Sequence, residues 1–262
     1  MKTNLKIGVV GGGGWLGQAI IKALLDAGTV TPAELGLSYR SKTPEIIPGL
    51  FVTQDSQELA DASDVIIMSV RPADWPAAKI SAKDKLVISV MAGVTLQQLA
   101  DQTHTARVVR ALPNVAAQIR KSYTPWVASG GVTPDDRLFV ARIFGACGAC
   151  DEVSTESHID YLTGLTGAGP AYPALLAQAL MADAISRGIQ PAIAQRAVTE
   201  LLIGTGRLLE TSRQNPADIV QEFVDYRGVI AAAIVAMREA GFDGAVGAGL
   251  AAALKKSLMI GK

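Results

Sequence analysis

Cysteine, histidine and aromatic residues are all scarce in this 262-residue chain, and each scarcity removes a class of chemistry. The two cysteines, Cys147 and Cys150, stand in Cys-Gly-Ala-Cys with no second pair to complete a zinc site or a disulfide framework. Because Val140-Ala141-Arg142-Ile143-Phe144-Gly145 reads as a helix end, they are expected as two small buried residues leading into a strand. No metal site is expected. The two histidines, His104 and His158, stand apart in sequence and read as structural or surface residues rather than catalysts. An excess of basic charge is missing too. Lys plus Arg and Asp plus Glu number 24 each, without a basic tail, so the electrostatic footprint of a nucleic-acid binder is absent and no such partner is expected.

The chain shows no leader-like apolar core or small-residue cleavage site. Met1 to Lys6 runs directly into the strand-like Ile7-Gly8-Val9-Val10, and a cytoplasmic location is expected. One uncharged stretch, Leu162 to Ala182, is long enough to raise the question of a membrane span. It is broken by Gly164, Gly167, Gly169, Pro170 and Pro173, so a helix buried between subunits is expected and no membrane partner. Hydrophobic residues make up 49% of the chain with few aromatics, an apolar excess that points to burial in a homodimer or higher homo-oligomer.

From Lys6 to about Val153, short β-branched runs alternate with amphipathic stretches, the pattern of a parallel sheet covered by helices. Strands are expected at Ile7 to Val10, Leu35 to Tyr39, Val65 to Val70, Leu86 to Val90, Val108 to Leu112 and Tyr123 to Ala128. Helices between them include Gly17 to Leu25 and Thr95 to Ala100. After Glu152 the pattern changes to Ala- and Leu-rich helical segments with no further strand-like run. Asn215-Pro216-Ala217-Asp218 reads as a helix start and Gly241 as a helix end. The fold class is α/β: a doubly wound, Rossmann-type domain over residues 1–153, followed by an all-α dimerisation and substrate domain over residues 154–262.

Val9-Val10-Gly11-Gly12-Gly13-Gly14-Trp15-Leu16-Gly17 carries strand into helix through glycines spaced G-x-G-x-x-G at Gly12, Gly14 and Gly17. Glycines at such a turn let the backbone approach a pyrophosphate at a helix N-terminus, so Gly12, Gly14, Trp15, Leu16 and Gly17 are candidate cofactor residues. At the end of the second strand an acid would bind the ribose 2′-hydroxyl of NAD and repel a 2′-phosphate. This chain places Arg40, Ser41 and Lys42 there: a planar fork, a hydroxyl and a second positive charge, which favours NADP.

Further motifs agree with one family in order and spacing. Val70-Arg71-Pro72 resembles its Val-Lys-Pro, Ala92-Gly93-Val94-Thr95-Leu96 matches its Ala-Gly-Val-Thr-Leu, and Val109-Arg110-Ala111-Leu112-Pro113-Asn114 resembles Val-Arg-Val-Met-Pro-Asn. Leu165-Thr166-Gly167-Ala168-Gly169-Pro170-Ala171-Tyr172 resembles Leu-Ser-Gly-Ser-Gly-Pro-Ala-Tyr. On these motifs the chain resembles pyrroline-5-carboxylate reductase over nearly its whole length. The resemblance implies NADPH-dependent reduction of a cyclic imine, 1-pyrroline-5-carboxylate to L-proline, with an interlocked helical dimer module.

Independently of the family, loops at the carboxyl ends of parallel strands converge on the crevice where a nicotinamide lies, and those loops carry Val70, Arg71, Pro72, Ala92, Gly93 and Asn114. The small Ala92 and Gly93 would let the ring approach backbone, and Asn114 would bond its carboxamide. The family's substrate loop, Ser-Pro-Gly-Gly-Thr-Thr, is similar only at Gly228: here it reads Asp225-Tyr226-Arg227-Gly228-Val229-Ile230. Arg227 is the candidate carboxylate clamp, Asp225 or Tyr226 the group facing the imine nitrogen, and Thr166 a further candidate in the Gly-Pro motif. The altered loop keeps two alternatives in view, a reductase of another imine and an NADP-binding dimer without turnover. The β-hydroxyacid dehydrogenases, which resemble this chain in domain plan, depend on a lysine, and none occurs between Lys121 and Lys255.

Overall fold

In the computed structural model, residues 5–40, 44, 47–167, 169–212 and 214–260 are described. Their chain path divides into two compact units, Met1–Ala168 with Ala252–Lys262, and Gly169–Ala251.

The first unit is built on a sheet that, among the described residues, has eight strands: β1 (Ile7–Val10), β2 (Leu35–Ser38), β3 (Phe51–Thr53), β4 (Val65–Met68), β5 (Leu86–Ser89), β6 (Val108–Ala111), β7 (Ser122–Ala128) and β8 (Gly148–Glu152). Their spatial order is β3-β2-β1-β4-β5-β6-β7-β8. All neighbours are parallel except β6 and β7. The order reverses at β1, so β2 and β4 flank it, and the crevice outside the carboxyl ends of these three strands is the place where such a sheet holds a ligand. β1, β2, β4, β5 and β6 are buried along their whole length, which is why they read as continuous apolar runs rather than alternating ones.

The helices of this unit are α1 (Trp15–Asp26), α2 (Ser56–Asp61), α3 (Leu96–Thr103), α4 (Pro134–Cys147) and α5 (Glu156–Leu162). Their starts are chemically marked: Asp55 caps α2, Thr95 forms a capping box with Gln98, and Thr133 forms another with Asp136. α1 packs Ile20, Ile21 and Leu24 into a core shared with β1, β2 and the α4 residues Val140, Ile143 and Phe144. β1 has the expected bounds and β7 begins one residue early, while β2, β4, β5 and β6 begin as expected and end one or two residues earlier, because their last residues turn into the crevice loops. Cys147 ends α4 and is buried as expected, which pushes its thiol up to about 12, while Cys150 in β8 is only half-buried, short of the burial expected for it.

The compact unit reaches past residue 153 for a specific reason. Arg110, in the middle of β6 and almost wholly buried, donates to Glu156 at 2.6 Å and to Asp160 at 3.0 Å, and so fixes α5 against the sheet. Glu156 Oε1 also accepts the main-chain N–H of Leu96 at 2.9 Å, tying in the start of α3.

The second unit contains α6 (Ala171–Ser186), α7 (Pro191–Ser212), α8 (Pro216–Asp225), α9 (Val229–Glu239) and most of α10 (Phe242–Ser257), whose end belongs to the first unit. α6 packs on α7, and α8 on α9. Asn215 caps α8 with Pro216 at its first position, and Gly241 takes a left-handed φ of 90° after α9, both as expected. The chain alone buries little of this unit: only Ala194, Val198 and Ala231 are buried in α6 to α9, while Leu175, Leu201, Leu208 and Ile230 are exposed. Helices with apolar residues left uncovered on this scale need a partner surface. Among the described residues no helix is long and apolar enough to cross a membrane.

Candidate functional site

The crevice begins at Gly11, which leaves β1 with φ +78°. A side chain there would press its Cβ to 2.6 Å from the Ser69 carbonyl oxygen. Next, the Gly12 N–H donates to the Ser38 carbonyl at 2.9 Å, pinning the loop to the end of β2. A Cβ on Gly12 would lie 2.6 Å from that of Leu37, and one on Gly17 would lie 2.8 Å from the Gly12 Cα. Gly12 and Gly17 are therefore demanded by strand-to-helix packing, and Gly11 by the turn. Gly14 caps α1 without a side-chain acceptor, so the first-turn N–H groups remain available to an anion. Gly11 was not among the expected residues, although its place one residue after the strand is the signal that finds it. Trp15, the first residue of α1, is 54% exposed beside this loop, while Leu16 packs inward on the core.

At the β2 end, Arg40 is exposed and places Nη1 3.2 Å from Asp74 Oδ1. Ser41 and Lys42 lie outside the described residues. At the β4 end, Val70 packs on the core, and Arg71 and Pro72 open a 3-10 turn over Pro72–Ala77. Arg71 Nε donates to Asp74 Oδ2 at 2.7 Å. The hydrogen bond from Arg71, reinforced by the charges of Arg40 and Arg71, outweighs desolvation and holds the Asp74 carboxyl below the usual carboxylate range. The two arginines expected at the cofactor are thus brought together, through an aspartate that sequence reasoning missed. Asp74 stands three residues after Arg71 at the N-terminal turn of a short helix, a spacing that could have flagged it.

Two expectations for the β5 and β6 loops take a different form in the structure. Gly93 has φ +78°, and the direction of its absent side chain is filled by the chain's own tail: a Cβ would lie 1.8 Å from the Ile260 carbonyl oxygen. Packing of residues near the C-terminus therefore requires glycine at this position. Ala92 is half-buried against Leu112, Val127 and Ile159. Asn114 is buried and uses both ends of its amide: Oδ1 accepts from the Ala116 N–H and Nδ2 donates to the Thr166 carbonyl, each at 2.9 Å. Thr166 lies in a π-helical turn, Thr163–Gly167, and its hydroxyl donates back to the Leu162 carbonyl at 3.0 Å.

The remaining candidates lie in the second unit. Asp225 ends α8 and accepts from Gln221 Nε2 at 2.9 Å. Tyr226 is 85% exposed. Arg227 is exposed and holds φ +53°, a left-handed conformation that glycine adopts easily and a residue with a Cβ adopts at a cost.

Comparison with known proteins follows these two parts of the chain. Residues 156–260 match the family described as pyrroline-5-carboxylate reductase dimerisation, and residues 6–93 match NADP oxidoreductase, coenzyme F420-dependent. A pyrroline-5-carboxylate reductase of Synechocystis sp. is 31% identical, with 99% of each chain covered. Among solved structures, a pyrroline-5-carboxylate reductase from Coxiella burnetii superposes with a TM-score of 0.89 at 25% identity, covering 99% of this chain and 100% of its own. The Plasmodium falciparum pyrroline carboxylate reductase, solved with NADP bound, gives a TM-score of 0.84 at 23% identity over 99% of each chain.

Proposed function

The chain belongs to the pyrroline-5-carboxylate reductase family, and on that footing we propose that it reduces 1-pyrroline-5-carboxylate to L-proline with NADPH. The observation that carries this reading is the end-to-end relationship at 31% identity, which spans the dinucleotide fold and the helical region alike. The residues of the crevice fit the cofactor. Gly11, Gly12 and Gly17 give a turn that side chains would fill, the start of α1 is free of a side-chain cap, and Arg40 offers a guanidinium at the β2 end where a 2′-phosphate needs one. When bound, NADPH supplies the hydride that the imine carbon accepts.

The rest is work for the protein's own groups. Trp15, Leu16 and Gly17 would present the first-turn N–H groups to the pyrophosphate, Arg40 with Ser41 and Lys42 would hold the 2′-phosphate, and the loops carrying Val70, Arg71, Pro72, Ala92, Gly93 and Asn114 would wall the nicotinamide end. Arg227 would clamp the substrate carboxylate; the left-handed backbone it maintains supports a functional reason for a non-glycine residue there. Asp225 or Tyr226 would face the imine nitrogen, and Thr166 would help shape the substrate end. An iminium forms readily near neutral pH, so holding the two reactants in register matters more than a strong general acid. A homo-oligomer, at least a dimer, fits the dimerisation-family match and the uncovered apolar helices, and action in the cytoplasm belongs to the same proposal.

A second reading, reduction of a different imine, is favoured by one observation: Asp225 to Ile230 keeps only Gly228 of the family's substrate loop. Following NADPH oxidation at 340 nm with pyrroline-5-carboxylate and a panel of cyclic imines separates the readings. Highest kcat/KM with pyrroline-5-carboxylate supports the first reading and highest with another imine the second. NADPH binding without turnover of any would sink both.

A further inference from the structure

Asp74 sits where the proposed cofactor brings its extra charge, and it is already engaged. β2 and β4 pair with β1 on its two sides, so Arg40 and Arg71 leave strand ends that flank the glycine loop. One carboxylate joins them: Oδ1 takes Arg40 at 3.2 Å and Oδ2 takes Arg71 at 2.7 Å. Its side chain is 25% exposed, whereas those of the arginines are 70% and 76% exposed. Among the described residues neither guanidinium has another side-chain partner. The anion is therefore the more enclosed member of the cluster, and the cations are the ones with room to turn toward a ligand.

We propose that Asp74 is a specificity-determining residue for the cofactor: a resident counter-anion that the 2′-phosphate must displace from Arg40, and that thereby tempers the preference for NADPH over NADH. The inference rests on the reading that Arg40 receives the 2′-phosphate. A phosphate monoester carries close to two negative charges at neutral pH and takes a guanidinium through paired N–H donors, the same donors a carboxylate uses. Both anions cannot hold one face of Arg40, and the carboxylate that is displaced remains nearby as a like charge. NADH ends in a 2′-hydroxyl, makes no claim on Arg40, and leaves the Arg40–Asp74–Arg71 bridge in place. Asp74 also restrains both exposed side chains, which lowers the cost of ordering them on a ligand. That ordering effect concerns solvated ion pairs of small individual worth, so repulsion of the incoming phosphate outweighs it.

Asp74→Asn keeps the side chain's shape and removes its charge. Direct fluorescence titration of the intact protein should show NADPH, and the fragment adenosine 2′,5′-bisphosphate, binding about three- to fivefold tighter than to the wild type, the worth of exchanging one exposed ion pair. NADH affinity should stay within about twofold. In an Arg40→Ala background the substitution should lose its effect on NADPH, because the contested cation is gone. Asp74→Ser provides the same comparison should the asparagine variant be poorly folded, with thermal midpoints recorded for each. An unchanged or weaker NADPH affinity in both Asp74 variants, with Arg40→Ala still weakening NADPH, overturns the inference and leaves the cofactor reading standing. An Arg40→Ala variant that binds NADPH as well as the wild type overturns the placement of the 2′-phosphate, and the inference with it.

Discussion

The side-chain amide of Asn114 donates to the main-chain carbonyl of Thr166 at 2.9 Å while its oxygen accepts from the Ala116 N–H at the same distance. One buried side chain thereby caps the turn after β6 and stitches that loop to the π-helical turn that closes α5. Asn114→Ala leaves both partners without their bond and should cost about 1–3 kcal/mol in urea denaturation. Asn114→Asp sets a carboxylate against the Thr166 carbonyl and should cost more than alanine. Equal stability of the wild type and both variants would show that the stitch contributes nothing.

Gly11 is held at φ +78° against the Ser69 carbonyl. Alanine there combines a left-handed backbone penalty of about 1–2 kcal/mol with a contact that the β4 end must move to relieve. Gly11→Ala should lower the thermal midpoint and weaken NADPH by tenfold or more, whereas Gly130→Ala, with open space around it, should be silent in both measurements.

The alternation of buried β-branched strands with helices was legible because fully buried parallel strands carry few polar positions to blur them, as Ile7–Val10 and Val65–Met68 show. β3 was not legible: Phe51–Thr53 is three residues long and partly exposed, and only its pairing with β2 makes it a strand. Gly12, Gly14 and Gly17 were read from spacing, and Gly11 was missed although it stands one residue after the strand. Gly93 signalled a close approach without naming the neighbour, and the packing against Ile260, far along the chain, became visible only in the fold. Arg40 and Arg71 carried a readable charge signal, while their meeting at Asp74 depends on two loops brought side by side by the sheet order. Arg110 could have been read more fully, since an arginine inside an apolar strand demands acidic partners.

That demand gives a stability prediction. Arg110→Ala leaves the partly exposed Glu156 and Asp160 without their partner and should destabilise the protein by about 1–3 kcal/mol in denaturant titration. Arg110→Met with Glu156→Gln and Asp160→Asn should recover part of that loss, because no uncompensated charge remains. A single variant as stable as the wild type would remove the ion cluster from the account of why α5 stays on the sheet.

Arg227 separates strain from function. Arg227→Gly relieves the left-handed backbone and should stabilise the helical unit by about 1 kcal/mol, yet raise KM for the imine by roughly ten- to a hundredfold through loss of the carboxylate contact. Arg227→Ala should raise KM by a similar factor without the gain in stability, and NADPH affinity should be unchanged in both. An unchanged KM would move the carboxylate contact away from Arg227.

The most direct test of the central claim is to identify the product. Purified protein incubated with 1-pyrroline-5-carboxylate and NADPH should yield L-proline and NADP in a one-to-one ratio, by chiral amino-acid analysis and absorbance at 340 nm on the same sample, with a far lower rate when NADH replaces NADPH. NADPH bound but neither consumed nor matched by L-proline would contradict the assignment.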